Sequence, residues 1–415
     1  MKSQKICAII CEYNPLHKGH QYLIEKAREL SCCDFVMCIM SGNFTQRGDI
    51  AILDKHKRAK IALSAGADIV VQIPTAYASC SAEVFALAGV KIANSFNNVT
   101  HLCFGSSLDE VEPLKQIANY LITEPKEYKK LLKANLDNGL SYNSSRTNAL
   151  VELAKTDKNL PENVQELLAN SNNILAIEYL KALKSTNSKI TPITTKRIGE
   201  SFNSKKITEY CSASAIRQEL YTTKTVKNVA KALPDNIFDE FRQELVNQAL
   251  PDIALYNQLR LFKVRTTDIN EIENVFDVSE GLHNRLYHLA RQSADYEEFV
   301  KQVATKRYSD SKINRIITGL MLGIDKKIVE QIYKLNTLPY IKVLAVRKNR
   351  VLNNLQSNTC VILRTNDVKK TNNYVYNKLT QIEDNADSIY TQLTNTKVVN
   401  VPYLSQPPII NSKLS

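Results

Sequence analysis

The feature that most restricts what this chain can fold into is the alternation of strand-like and helix-like segments through its first two hundred residues. Lys5–Cys11 is a nearly continuous apolar run that ends in Glu12-Tyr13-Asn14-Pro15, the pattern of a strand buried on both faces. A helical period follows, with Leu23, Ala27 and Leu30 on one face. Phe35–Met40 reads as a second strand ending at Ser41-Gly42-Asn43. Lys55–Ala65 reads as a basic helix, closed by Gly66 before a third strand at Asp68–Pro74. Ala82–Phe96 predicts a helix and Thr100–Phe104 a fourth strand, ending at Gly105. Ser107 and Glu110 have the spacing of a capping box, which predicts a helix opening there. Beyond a polar, helical stretch over 129–170, Ile174–Leu183 predicts an amphipathic helix and Ile190–Arg197 a fifth strand. Such a succession calls for a parallel α/β sheet with right-handed crossovers, whose ligands sit beyond the carboxyl ends of the strands. Asn14, Asn43, Gly105 and Arg197 all fall at such ends.

Past about residue 222 the texture changes to helical patterns rich in Lys and Arg, as far as about Leu335. After Pro339, Ile341–Val346 and Cys360–Leu363 look like two short strands. A chain of 415 residues exceeds one ordinary core. The expected division is therefore an α/β domain over 1–221, a helical basic region over 222–338 and a small α/β module over 339–415. The formal net charge of +12 suits a polyanionic partner better than a small neutral metabolite. No stretch reads as a signal peptide or membrane span, since the apolar run Ile6–Ile10 is only a strand's length. The nine cysteines form no CxxC pair, which points to a reducing cytoplasm and no structural zinc.

The chemistry is carried by Asn14-Pro15-Leu16-His17-Lys18-Gly19-His20, at the junction of the first strand and first helix. A helix start of this kind favours an anion through its free N–H groups and its dipole. His17 and His20, three residues apart, lie on one helical face, and Gly19 lets a phosphate approach the backbone. Two imidazoles aimed at one phosphate can stabilise the charge of a transferring group, as in attack at an α-phosphate with pyrophosphate leaving. His17 and His20 are thus the candidate catalytic residues.

This pattern resembles the nucleotidylyltransferase superfamily, a Rossmann-like fold whose second signature is a Ser/Thr-rich turn opening a late helix. Cys211-Ser212-Ala213-Ser214-Ala215-Ile216-Arg217 stands in that place, with Ser214 and Arg217 as candidate ligands of the outer phosphates. More of the chain is similar to one family. Glu12–His20, Ser41-Gly42-Asn43-Phe44-Thr45-Gln46-Arg47-Gly48-Asp49, Gly66-Ala67-Asp68, Phe104-Gly105-Ser106, Asn172–Tyr179 and Lys196-Arg197-Ile198-Gly199 look like the bacterial tRNA(Met) cytidine acetate ligases. The likeness spans most of residues 5–220 and continues more loosely through Glu280–Leu286 and Lys306–Arg315. Leu16 and Lys18 stand where Phe and Asn would be expected.

The resemblance implies a ligase that activates acetate with ATP as acetyl-adenylate and passes the acetyl group to N4 of the wobble cytidine of elongator tRNA(Met). It places ATP along Ile10, Cys11, Glu12, Tyr13, Asn14, Pro15, Leu16, His17, Lys18, Gly19, His20, Gln21, Tyr22 and Leu23, and at Gly105, Asn172 or Asn173, Arg197 and Ile198. Gly42, Asn43, Gln46 and Arg47 are candidates to meet acetate or the base. Magnesium is expected with the ATP, and neither zinc nor coenzyme A. Asp49 and Asp54 could assist magnesium, accept a proton or be ordinary surface or capping carboxylates, and Lys55, Lys57 and Arg58 could face RNA or solvent. Arg260, Lys263, Arg265, Lys301, Lys306, Arg307, Lys312 and Arg315, with Tyr308 as a stacking face, are expected to grip tRNA. Two other readings share the His motif: an adenylyltransferase acting on a phosphorylated small molecule, and a non-catalytic, nucleotide-sensing RNA-binding protein.

Overall fold

The computed structural model describes residues 4–199, 206–364, 373–394 and 408–410. Side chains too apolar to meet water on either face put β1 (Ile6–Cys11) in the middle of an eight-stranded sheet. Its neighbours are β2 (Phe35–Ser41) and β4 (Val99–Ser106), both parallel to it. β3 (Ile69–Ile73) lies beyond β2, and β5 (Thr191–Lys196) beyond β4. The chain runs outward from β1 in both directions, so the sheet has its switch point between β1 and β4. A crevice opens at the carboxyl ends of those two strands.

Helices cover both faces. Those that bear on the site are α1 (Lys18–Ser31), α2 (Lys55–Ser64), α3 (Ala82–Asn94), α4 (Ser171–Ser185), α5 (Ala213–Thr223), α6 (Asp310–Leu322) and α7 (Tyr374–Leu393). α3 lies so close to β1 that a Cβ on Gly89 would stand 2.5 Å from the Ile10 Cδ1. The expected helix start at Ser107 is not observed, because the next helix begins at Glu112 with no side-chain cap. Ser107 finds a partner at the start of α4 instead. Its N–H donates to Asn173 Oδ1 at 2.9 Å, and Asn173 Nδ2 donates to Ser107 Oγ at 2.7 Å.

The strands expected of a C-terminal module exist, but they widen the main sheet rather than enclose a core of their own. β6 (Ile341–Val346) pairs antiparallel with β3, and β7 (Val361–Ile362) and β8 (Ile409–Ile410) run parallel to β6. The physical reason is the open edge of β3, whose unpaired N–H and C=O groups β6 satisfies. The helical region does hold a separate apolar cluster, built on residues such as Leu261, Leu286, Phe299 and Ile317. Ile324, Ile328 and Ile332 join the core beneath the sheet. Among the described residues no helix is long and apolar enough to cross a membrane. All nine cysteines are free, with Cys32 and Cys360 exposed.

Candidate active site

His17 is the N-cap of α1, and His20 completes a reciprocal capping box. The Gly19 N–H donates to His17 Nδ1 at 3.1 Å, and the His17 N–H donates to His20 Nδ1 at 3.3 Å. The rings stack with centroids 3.8 Å apart and planes at 26°. Each Nδ1 lone pair is occupied by a backbone donor, so each ring carries its proton on Nε2. Burial pushes the His17 imidazole down to about 3, and the Arg197 guanidinium adds to the effect. Burial also holds His20 well below the ordinary value, with His17 and Arg197 as further causes and a hydrogen bond to Pro15 opposing them. The pair is therefore neutral at physiological pH, a double N–H donor rather than a double cation.

This arrangement revises two expectations. The His17 and Gly19 N–H groups are consumed by the rings, which leaves imidazole N–H groups as the donors of this junction. The bare backbone of Gly19 makes room for the His17 ring, whose Cε1 lies 3.0 Å from where a Cβ would be.

The other expected residues gather around this pair to differing degrees. Arg197 continues from β5, its N–H donating to the Ser106 carbonyl at 2.9 Å, and its Cγ would stand 3.0 Å from a Cβ on Gly105. Its stem thus lies across Gly105, and its charge acts on both histidines. Ile198 is exposed beside it. Ser212 caps α5 and its hydroxyl lies 2.9 Å from that of Ser214. One turn on, Arg217 Nη1 donates to the Asn14 carbonyl at 2.7 Å, joining the late turn to the His motif. Of the two asparagines, Asn173 is buried with its amide spent on Ser107 and on the Leu167 carbonyl. Asn172 is half-buried, and its side chain makes no hydrogen bond among the described residues.

Within Ile10–Leu23 several side chains serve the fold. Ile10 packs on Gly89, the Tyr13 hydroxyl lies 3.2 Å from the Cys38 sulfur, and Leu16 is in the core. Asn14 Oδ1 accepts the Ile52 N–H at 2.9 Å, and Lys18 pairs with Glu209 at 2.9 Å. Cys11, Gln21, Tyr22 and Leu23 are half-buried around the same junction.

The loop from β2 to α2 divides the substrate candidates. Gln46 lies on the crevice side, its N–H donating to Glu12 Oε1 at 2.6 Å and its Nε2 to the Cys80 carbonyl at 2.8 Å. Arg47 is exposed beside it. Asn43 is buried, and both ends of its amide are taken: Nδ2 by Asp387 at 2.9 Å, Oδ1 by the Lys55 N–H at 2.8 Å. Gly42 lies against Thr75 Oγ1, 2.8 Å from a hypothetical Cβ. These two hold the loop in place.

The basic start of α2 faces inward. Lys55 is fully buried and donates to both oxygens of Asp387, at 2.8 and 2.7 Å, with Glu383 3.7 Å away. Arg58 is also buried and donates to the carbonyls of Leu53, Glu12, Ser41 and Gly42, tying together the ends of β1 and β2. Lys57 lies 3.8 Å from Glu244, and Asp54 caps the helix through the His56 and Lys57 N–H groups. Lys55, Arg58 and Asp54 are thus spent inside the protein, and Lys57 is half-buried. The acidic pair of α7 leaves no sign in the sequence, since its partners lie 308 to 344 residues away, and Arg58, expected to face RNA or solvent, is turned inward onto carbonyls 5 to 46 residues away.

The helical region is similarly sorted. Arg260 is buried between the Tyr256 and Tyr296 rings, 4.2 and 3.8 Å from their centroids, and Arg265 caps carbonyls at Ala290 and Ser293. Lys312 and Arg315 share Asp277, at 3.3 and 3.4 Å. Lys263 lies 3.6 Å from Glu271 and Arg307 3.0 Å from Glu280 in exposed pairs, and the half-buried Tyr308 ring lies under the Lys312 ammonium. Lys301 and Lys306 are exposed without an ion pair among the described residues.

Comparison with known proteins places this geometry in a family. The family described as HIGH Nucleotidyl Transferase matches residues 4–402. A tRNA(Met) cytidine acetate ligase of Clostridium botulinum (strain Okra / Type B1) is 38% identical over 415 residues, covering 99% of each chain. One from Acetivibrio thermocellus is 36% identical over 398 residues, covering 93% of this chain and 94% of that one. Among solved structures, Thermotoga maritima TmcAL bound with alpha-thio ATP superposes with a TM-score of 0.85 at 29% identity. It covers 94% of this chain and 95% of that one. With the stacked His motif, the Arg197 stem across Gly105 and these full-length relatives, the chain belongs to the tRNA(Met) cytidine acetate ligase family, within the HIGH nucleotidyl transferases.

Proposed function

We infer that this protein is an ATP-dependent ligase that forms acetyl-adenylate and acetylates N4 of the wobble cytidine of elongator tRNA(Met). The observation that carries the chemical part of this reading is the neutral, stacked pair His17–His20 under the charge of Arg197, at the mouth of the β1–β4 crevice. An acetate oxygen attacks the α-phosphorus of ATP, and pyrophosphate leaves. Charge accumulates on the non-bridging oxygens, where imidazole N–H groups and a guanidinium stabilise it more than they stabilise the ground state. Arg217 and the Ser212–Ser214 turn are assigned to the outer phosphates, and Asn172, whose amide is unengaged, to the nucleoside. Gln46 and Arg47, on the crevice side of the β2–α2 loop, are assigned to acetate or the base.

Among the described residues no group of three or more His, Cys, Asp or Glu could cage a metal. A magnesium ion would therefore arrive with the ATP phosphates, as magnesium commonly does. Exposed cations of the helical region, Lys301, Lys306 and Arg307 foremost, are assigned to the tRNA backbone, and the cytoplasm is the compartment where such a substrate is met. His20→Ala tests the division of labour. Acetate-dependent ATP–pyrophosphate exchange should be abolished while tRNA affinity in a filter-binding assay stays nearly unchanged. Equal loss of both would contradict it.

A further inference from the structure

We propose that Glu12 is the base of the second half-reaction, accepting the proton that cytidine N4 loses as it is acetylated. The inference rests on the ligase reading above. When N4 attacks the acetyl carbon, an N–C bond forms and the C–O bond to the α-phosphate breaks. AMP departs with that electron pair as a phosphate monoester, which needs no proton. The nitrogen, which began with two hydrogens and ends with one, must release the other to an acceptor, and from there it passes to water. His17 and His20 cannot take it, because each Nδ1 already accepts a backbone N–H and each Nε2 carries hydrogen.

Glu12 directly follows β1 and precedes the His motif, at the floor of the crevice. One oxygen, Oε1, is fixed by the Gln46 N–H at 2.6 Å. The other, Oε2, makes no hydrogen bond among the described residues, and the side chain is half-buried. A carboxylate held by one oxygen and open at the other is the geometry a general base requires.

The groups around it come from four elements. Arg58 of α2 grips the Glu12 carbonyl, Arg217 of α5 lies on the neighbouring Asn14 carbonyl, Asp49 stands in the β2–α2 loop, and the buried Tyr179 faces it from α4. Burial raises the proton affinity of Glu12 and Asp49 adds to it, while the Gln46 N–H and the two guanidiniums oppose the rise. The result is a stronger base than a solvated glutamate.

A purely structural role makes a different prediction, because the amide oxygen of Glu12→Gln would still accept the Gln46 N–H. Single-turnover acetyl transfer to unmodified tRNA(Met), at saturating tRNA, is measured beside acetate-dependent pyrophosphate exchange. In E12Q transfer is expected to fall about 10²-fold or more, with exchange falling far less. The rise of transfer rate with pH in the parent protein should vanish in E12Q, whereas Asp49→Asn should retain it. Equal loss in both assays, undiminished transfer in E12Q, or a retained pH limb overturns the proposal. A parent protein that exchanges no pyrophosphate overturns the ligase reading itself, and this inference with it.

Discussion

The two histidines of the motif act through what their hydrogen bonds deny them. With Nδ1 of each ring facing a backbone donor, protonation would break the capping box, and burial makes the cation costlier still. A base held below its ordinary value near 6.5 stabilises the fold in its neutral form. That contribution is complete above about pH 6.5 and is lost as pH falls toward the folded value, which for His17 is about 3. Nitrogen-15 spectra of labelled histidine should therefore show two Nε2–H neutral rings unchanged from pH 8 to pH 5. A ring titrating near 6.5 would contradict the assignment. In parallel, the urea midpoint should drop between pH 6.5 and pH 4.5, and the slope should be shallower in His17→Gln/His20→Gln. An unchanged slope would show that the pair does not carry the dependence.

Among the elements, the β2–α2 loop joins the sheet to the helical region. Gly48, at φ +76°, sits so near α6 that a Cβ would lie 2.8 Å from the Asn314 carbonyl oxygen and 2.9 Å from Arg315 backbone atoms. Its own carbonyl accepts from the Tyr256 hydroxyl at 2.9 Å and from Thr318 Oγ1 at 2.8 Å. Gly139, at φ +80°, has nothing within 4 Å and serves as the control for backbone conformation alone. Gly139→Ala should cost about 1 kcal/mol in chemical denaturation, the left-handed penalty alone. Gly48→Ala should cost about 3 kcal/mol or more and also lower acetyl transfer, because backbone must move. Equal costs would show that the loop and α6 are not tightly joined.

The strands of this sheet were legible because doubly buried runs such as Ile6–Cys11 have no other stable environment, and the His motif because its partners are three residues apart. Ser107 was misread since its partner, Asn173, is 66 residues away. The place of β6 depended on an unfilled edge that no local pattern encodes.

For the whole molecule, the decisive contact is the one that returns the C-terminal helix to the catalytic loops. Asp387 holds Lys55 and Asn43, while Glu383 accepts from the Thr75 N–H and from Gln72 Nε2, all of them buried. Without Asp387 the buried Lys55 ammonium loses both of its hydrogen bonds and keeps only Glu383 at 3.7 Å, so Asp387→Ala should lower stability by about 3 kcal/mol in urea. A loss below about 1 kcal/mol, the range of exposed pairs, would mean that α7 is not anchored in this way. The same buried charges explain why the net charge of +12 overstates the surface available to RNA, since Lys55, Arg58 and Arg260 are spent inside.

Labelled acetate measures directly whether ATP is used here to carry acetate onto RNA. The protein is incubated with labelled acetate, ATP and unmodified tRNA(Met), without coenzyme A, and the RNA is digested to nucleosides. Label recovered as N4-acetylcytidine, with AMP released in equal amount and both lost in His17→Ala/His20→Ala, is the result expected. Unlabelled RNA and no AMP, with ATP still bound, would contradict the account and leave a nucleotide-binding protein whose substrate is not tRNA.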